Sequence, residues 1–442
     1  MKLSELKGKN IAILGFGLEG KSTLNFLLTH NIGFKNLTIL DINENLQASK
    51  LVHSVTGADY LDNLDKYDII LKSSGVAINE KLLPYKDQII TQIQLFFDNY
   101  HGKVIAITAT KWKSTIANLI YQIIKDVWCN VKLAWNMWIP VFDEVDFDEK
   151  FDYVVLELSS YMLSTLKKKN YISVLGRIFP EHLDWHMSFE EYFKAKVNIL
   201  KGSEYNVVNF DTIEDFDLQK KYKDLISYGR WGKYWWSYGN FVERDKKLFS
   251  CNDTLLMGEH NLENICCALA VGDILELPLK CVHQTIKNFR WLPHRMEIIG
   301  EYGWIQWIDD AISTTPESTI AAIRTFGKKI DTIFLGGTDR WYDFAELINY
   351  IYSYNIKNIV FFPDTWKRIK SDLQKHKLRE KKSSIMNLLS TNDMQEAVDF
   401  AIQNTKKWRI CLLSTASPSY TNWKNFEEKW DLFKKCIKEI GS

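Results

Sequence analysis

The sequence predicts an α/β protein of three domains, each built on a mostly parallel sheet. Three observations predict it. The 442 residues suffice for two or three domains. Short apolar runs alternate with helical patterns along the whole chain, the order that parallel sheets require. Twice, such a run ends in a loop and passes straight into a helix. These places are Gly15-Phe16-Gly17-Leu18-Glu19-Gly20 and Thr108-Ala109-Thr110-Lys111-Trp112-Lys113-Ser114-Thr115. In sheets of this kind, ligands bind at the carboxyl ends of strands.

The first domain is expected over residues 1–97. Residues 10–14 read as a strand, 21–28 as a helix and 37–40 as the next strand, ending at Asp41. Glycines at the turn, followed about twenty residues later by an acid, fit a Rossmann-like dinucleotide fingerprint. Gly15 and Gly20 ahead of Lys21-Ser22 also fit a Walker pattern, and a tight turn with no ligand fits too. Residues 68–71 form another strand, leading into Lys72-Ser73-Ser74-Gly75, a second small-residue loop able to face a phosphate.

The second domain, 98–297, opens with the strand 104–107, the loop 108–115 and a helix over 116–125, a P-loop ATPase-like order. A helix N-terminus attracts phosphate, Lys113 can reach terminal phosphates, and Ser114 or Thr115 can ligate magnesium. Such a loop asks for glycine, yet Ala109 and Trp112 stand there. The strand at 153 ends in Glu157-Leu158-Ser159-Ser160, which places a carboxylate beside the loop as a magnesium position or as a surface acid. After strand 172–175 comes Pro180-Glu181-His182-Leu183-Asp184-Trp185-His186, suited to metal or phosphate chemistry or to a plain polar loop. Lys194 and Lys196 lie on an amphipathic helix over 189–200, where lysines are ordinarily solvated. Gly258-Glu259-His260-Asn261-Leu262-Glu263-Asn264 opens a further helix, with Asn261 as cap and Asn264 placed to meet a base.

The third domain, 298–442, is again Rossmann-like. Its strand 304–308 ends in Asp309-Asp310, and Thr315 caps a helix with Pro316 in its first turn. Strand 330–335 closes on Gly336-Gly337-Thr338-Asp339-Arg340, and strands 358–362 and 409–413 follow. The last leads into Ser414-Thr415-Ala416-Ser417-Pro418-Ser419.

Charge is balanced, 56 basic against 55 acidic side chains, so no nucleic acid or anionic membrane is expected as partner. No apolar run spans a bilayer and no leader opens the chain. Seven cysteines without zinc-type spacing read as thiols of a cytoplasmic protein.

Taken in order, these stretches resemble the bacterial Mur ligases, in particular their D-glutamate-adding branch. The resemblance rests on the loop 15–20, the loop 108–115, Glu157-Leu158-Ser159-Ser160, His182-Leu183-Asp184-Trp185-His186, Gly258-Glu259-His260-Asn261, Leu292-Pro293-His294-Arg295, Gly336 to Arg340 and residues 419–431. It implies an ATP- and magnesium-dependent ligase that adds D-glutamate to UDP-N-acetylmuramoyl-L-alanine through an acyl phosphate, working as a monomer. It implies that Lys113 binds the β- and γ-phosphates, and that Thr108 to Thr115, Asn264, Arg295 and Asp310 hold ATP. Ser114, Glu157 and His182 would hold magnesium. Lys196 would be carbamylated and serve a second magnesium ion. Gly15, Gly17, Gly20, Asp41, Ser73 and Gly75 would hold the uridine end, and Asn136 the muramoyl part. Thr314, Arg340, Ser419 and Phe426 would surround D-glutamate.

The chain departs from the family in one repeated way. Tryptophan stands at family glycine positions at 112, 128, 135, 138, 291, 304, 341, 366, 408 and 430, ten of the sixteen tryptophans, whereas Trp185 is usual. Tryptophan is a poor substitute where φ is positive. A UGA codon read as glycine in the cell and as tryptophan on translation would produce this pattern. Ala109 for glycine, Arg177 for asparagine, Ile312 for lysine and Arg340 for lysine are further departures. If the tryptophans are real, a catalytically dead relative that still binds a uridine nucleotide is the better reading. A sibling ligase with another amino acid is a third. A nicotinamide dehydrogenase built on residues 15–20 leaves the second loop, Glu157 and the His182 motif unexplained.

Overall fold

The structure is a computed structural model that describes residues 1–46, 52–134, 139–147, 149–167, 170–290, 294–379, 386–419, 423 and 426–441. Its strands form three sheets. The first contains β1 (Asn10–Leu14), β2 (Asn36–Asp41), β3 (His53–Thr56), β4 (Ile69–Lys72) and β5 (Ile89–Thr91) in the order 3-2-1-4-5, all parallel. The second contains β6 (Lys103–Thr108), β7 (Val131–Ala134), β8 (Tyr153–Glu157), β9 (Ile172–Leu175), β10 (Tyr205–Asn209), β11 (Leu225–Tyr228), β12 (Tyr234–Ser237), β13 (Asn240–Glu243) and β14 (Lys246–Ser250). Their order is 14-13-12-11-10-9-6-8-7, with antiparallel pairing only in the β12–β13–β14 meander. The third contains β15 (Glu297–Tyr302), β16 (Ile305–Asp309), β17 (Ile330–Gly336), β18 (Asn358–Phe362), β19 (Asn387–Ser390) and β20 (Arg409–Leu413) in the order 15-16-20-17-18-19. Only the β15–β16 hairpin there is antiparallel.

The chain packs as two compact units, residues 1–253 with 262–288, and 254–261 with 289–442. The first unit holds the first two sheets, and one apolar core joins them. Phe26, from the helix Leu18–Thr29, stacks on Phe142 with ring centroids 4.1 Å apart, and Ser22 Oγ donates to Asp143 Oδ1 at 2.8 Å. In the second unit β17 is buried on both faces: Ile333 and Leu335 belong to one core and Phe334 to the other. That two-sided burial is why its sequence is a continuous apolar run rather than an alternation.

The mostly parallel α/β architecture is as predicted, and four local expectations are corrected. The strand expected from Trp304 begins at Ile305, because Gly303 and Trp304 form the hairpin turn with φ of 60° and 66°. The helix expected over 189–200 runs Phe189–Val197 and tightens into a 3-10 turn, Asn198–Leu200. Thr315 is the N-cap of Pro316–Phe326, but its hydroxyl bonds Ser318 Oγ at 3.0 Å rather than a helix amide. Asn261 lies inside the helix Glu259–Ile274 and donates back to Met257 O at 2.8 Å, so it is no cap. The β12–β14 meander was not anticipated, since its strands are four or five residues long and carry no clean alternation.

Candidate active site

β6 ends at Thr108, and residues 109–112 turn the chain into the helix Lys113–Asp126. Ile116, Ile120, Ile123 and Ile124 at helical spacing bury one face of that helix and fix its start. The turn is pinned from outside. Thr108 Oγ1 donates to Leu158 O at 2.8 Å, and the Thr110 amide donates to Arg177 O at 2.9 Å. Thr110 Oγ1 accepts from the Phe179 amide at 2.9 Å and bonds Tyr192 OH at 2.8 Å. Ala109 is buried and has no positive φ, and a Cβ on Gly176 would come within 2.6 Å of its methyl. The alanine methyl therefore occupies the space that Gly176 leaves open.

Charged groups converge on this loop. Glu157 ends β8 opposite Ile107 of β6, is 2 % exposed, and its Oε1 has no hydrogen-bond partner among the described residues. A buried carboxylate oxygen without a donor asks for a cation. Lys111 pairs with Glu181 at 2.6 Å, and Lys113 Nζ donates to Thr110 O at 3.2 Å. Burial would raise the Glu181 carboxyl, but Lys111, His182 and Lys113 outweigh it and hold it at about 2. His182 is lowered to about 4, by burial and then by three lysines, against the pull of Glu181. It is thus a neutral imidazole at neutral pH, as a metal ligand must be. Lys196 is fully buried, and its Nζ donates to Ala109 O at 2.8 Å and Thr108 Oγ1 at 3.3 Å. Burial, with Lys113, drives its pKa well below the usual lysine value, although Glu181 and Glu157 oppose this. The donor set, a carboxylate, a neutral imidazole and the hydroxyl of Ser114, fits a divalent hard cation.

The first sheet carries a second cradle. Gly15 has φ +86°, and a Cβ there would lie 2.8 Å from Val76 Cγ2, so the turn after β1 needs glycine. Asp41 Oδ2 accepts from the Phe16 amide at 2.6 Å, and Ser73 Oγ donates to Gly15 O at 2.7 Å. Glu19 accepts from the amide of Ser74 at 2.8 Å and from its hydroxyl at 3.1 Å. Burial raises the Glu19 carboxyl and lowers Lys72 to about 8. Trp185 Nε1 donates to Gly75 O at 3.2 Å, which ties this cradle to the His182 loop.

In the second unit the ends of β16, β17 and β20 meet. Asp310 accepts from Ser313 Oγ at 2.6 Å, Ser414 Oγ at 2.7 Å and the Met296 amide at 3.2 Å. Burial raises it to about 7 despite the two hydroxyls. Lys429 Nζ donates to Thr415 Oγ1 at 3.0 Å and Ala311 O at 3.1 Å, and burial lowers it to about 7. Gly337 lies so close to Pro418 O that no Cβ fits, and Thr338 N–H donates to Pro418 O at 2.7 Å. Ser419 is buried, and its hydroxyl lacks a partner among the described residues.

The profile of the Mur ligase middle domain matches residues 107–272. A UDP-N-acetylmuramoylalanine–D-glutamate ligase of Buchnera aphidicola is 32% identical over 455 residues, covering 98% of each chain. The chain belongs to the Mur ligase family. The ligase of the same name from Clostridium tetani is 28% identical and covers 98% of this chain and 97% of its own. Among solved structures, the UDP-N-acetylmuramate-alanine ligase of Thermotoga maritima aligns with a TM-score of 0.61 at 16% identity, over 96% of this chain and 99% of that one.

In this Mur ligase, the loop 108–115, Glu157, His182 and Lys196 come together, as do Gly15, Asp41 and Ser73. Gly17 and Gly75 are exposed beside them, and Gly20 packs on Gly15 O. Asn264 is buried next to Glu263, which takes Arg177 through Nε at 3.0 Å and a terminal nitrogen at 2.7 Å. Arg295 and Thr314 are half-buried in the second unit, and Arg340 is exposed. Asn136 and the Phe426 side chain lie outside the described residues. Lys196 is buried, unlike the ordinary solvated helix lysine, at the position where the resemblance expects a site lysine. Tyr192 and Lys429 have no role assigned from the sequence, and Glu181 has one only as part of the stretch 180–186. The signal for Tyr192 was its spacing four residues before Lys196, which puts both on one helix face.

Proposed function

We propose that this chain joins D-glutamate to UDP-N-acetylmuramoyl-L-alanine, driven by ATP, in peptidoglycan precursor synthesis. What carries the reading is a phosphate loop ringed by Glu157, His182 and Lys196, in a chain similar end to end to ligases of that name. Residues 1–97 take the uridine nucleotide through Gly15, Gly17, Gly20, Asp41, Ser73 and Gly75, with Asn136 on the muramoyl part. Residues 98–297 take ATP through positions 108–115 and Asn264, helped by Arg295 and Asp310. Residues 298–442 take D-glutamate through Thr314, Arg340, Ser419 and Phe426. The enzyme works as a cytoplasmic monomer.

A carboxylate is a poor electrophile. Its oxygen attacks the γ-phosphorus of ATP, ADP leaves, and an acyl phosphate results. The amine of D-glutamate then attacks the acyl carbon, the nitrogen loses a proton, phosphate leaves, and the amide is formed. Lys113 neutralises the β- and γ-phosphates and holds the terminal one near the acceptor. Ser114, Glu157 and His182 would hold magnesium, which would supply positive charge to offset repulsion among phosphates and carboxylate. Burial favours the uncharged form of the Lys196 amine, and an uncharged amine would add to carbon dioxide: an N–C bond would form, a proton would leave to solvent, and the anionic carbamate would be a further metal ligand.

Phosphate release tests the reading. It is expected only when UDP-N-acetylmuramoyl-L-alanine, ATP and D-glutamate are all present. Release with another amino acid and none with D-glutamate makes the chain a sibling ligase. A second reading follows from indole at position 112, the residue that opens the phosphate-loop helix. Uridine-nucleotide binding without any phosphate release identifies that non-catalytic relative.

A further inference from the structure

Six tryptophans have a left-handed backbone: Trp112 (φ 62°), Trp128 (66°), Trp231 (69°), Trp304 (66°), Trp341 (60°) and Trp408 (65°). Among the described residues no other non-glycine type is found there as often; asparagine, which tolerates that region best, is found three times. Bulky side chains are outliers in this region. Five of the six are also exposed, the wrong place for tryptophan. Trp128 is 96%, Trp341 83%, Trp408 65%, Trp231 61% and Trp304 54% exposed. Trp307 and Trp423, without positive φ, are 0% and 7% exposed.

Four of these positions ask for glycine by their place in a turn or cap as well. Trp128 follows the C-cap Val127 of Lys113–Asp126, and its amide donates to Lys125 O at 3.0 Å, the left-handed position that usually closes a helix with glycine. Trp304 is the second residue of a two-residue hairpin turn in which both φ values are positive, the place where Asn-Gly or Gly-Gly is preferred. Trp231 is third in the turn closed by the Gly232 amide on Gly229 O at 2.9 Å, where positive φ favours glycine. Trp112 is the N-cap ahead of Lys113, where a phosphate loop carries glycine. Trp430 fails for a different reason. Its ring and that of His294 are 6° from parallel with centroids 2.9 Å apart, inside carbon–carbon contact distance.

We propose that the working protein carries glycine at positions 112, 128, 231, 304, 341, 408 and 430. Backbone geometry and crowding carry this; only its consequence for ATP rests on the function proposed above. Turn positions of unrelated origin sharing one wrong residue point to one codon rather than to drift. UGA is glycine in one code and tryptophan in another, whereas UGG is tryptophan in both. Position 231 was not among those suspected from the family resemblance, and the backbone alone adds it. Trp366 opens the helix Trp366–Arg379 without positive φ, and nothing at that position asks for glycine. With glycine at 112, the loop reads Thr-Ala-Thr-Lys-Gly-Lys-Ser-Thr, and no side chain stands over the turn where phosphate oxygens approach.

The gene and the natural protein test this together. The seven codons should be UGA, and those of Trp185, Trp307 and Trp423 should be UGG; UGG at the seven overturns the proposal. Mass spectrometry of the natural protein should find the tryptic peptide 126–132 with glycine at 128, and tryptophan there overturns it whatever the codon. A natural chain with glycine at 128 that releases no phosphate leaves the proposal standing and removes the ligase reading.

Discussion

Trp128→Gly should stabilise the protein although it deletes the largest of side chains. An L-residue in the left-handed region costs roughly 1–2 kcal/mol. The greater freedom of glycine in the unfolded chain returns roughly 0.5–1 kcal/mol of that. The indole is 96% exposed, so at about 25 cal/mol per Å² almost no transfer energy is lost. The net expectation is a gain of about 0.5–1 kcal/mol. Trp307→Gly is the control. That ring is fully buried against Phe433, with Nε1 donating to Tyr302 O at 3.1 Å, and its loss should cost at least about 3–5 kcal/mol. Urea unfolding of protein made in a host that inserts tryptophan at all these positions reads both. A Trp128→Gly chain with a lower midpoint than its parent would refute the reasoning about backbone strain.

Glu157→Gln should lower phosphate release by about 10²-fold or more, because it removes a buried negative charge from the proposed cation site; rates within a factor of about three of the parent would exclude that role. Asp310 is raised from its ordinary 3.8 to about 7, so the stability it contributes is present below about pH 4 and lost as pH rises through 7. At about 1.4 kcal/mol per unit this is on the order of 4 kcal/mol at most, and Asp310→Asn should flatten that slope in unfolding measured from pH 4 to 8. Lys429, lowered from 10.5 to about 7, has the opposite sign: its contribution is present above its ordinary value and lost as pH falls through 7, so Lys429→Met should flatten the alkaline side. Arg177→Asn should cost about 1–3 kcal/mol by leaving the nearly buried Glu263 without its cation, and Arg177→Asn combined with Glu263→Gln should recover most of it in the same urea assay.

Much of the fold was legible because each apolar strand ends in a recognisable loop. β1 with Gly15, β6 with residues 108–115 and β8 with Glu157 could be placed from residue types alone. Lys196 could not. Its helix also carries Lys194, which is exposed and paired with Glu190 and Glu191, and nothing local separates the two lysines. What separates them is the face that Tyr192 shares, turned onto the loop at Thr110 by long-range packing. Lys429 was hidden for the same reason: a lysine at 0% exposure is set by the β16 and β20 ends closing over it. Trp231 could not be flagged because a turn's φ is not written in the residues around it when the residue at fault is itself the anomaly. Arg177, a departure when read alone, is accounted for once Glu263 and Asp211 are seen beside it.

ATP binding with magnesium, measured by calorimetry on the tryptophan-bearing chain and on Trp112→Gly, reaches the centre of the account. If the turn ahead of Lys113 seats the phosphates, the glycine chain should bind ATP on the order of 10²-fold more tightly or better, the scale of losing preorganised backbone donors. Equal affinity in the two chains would mean that the nucleotide does not rest on this loop, and the account of its function would fail with it.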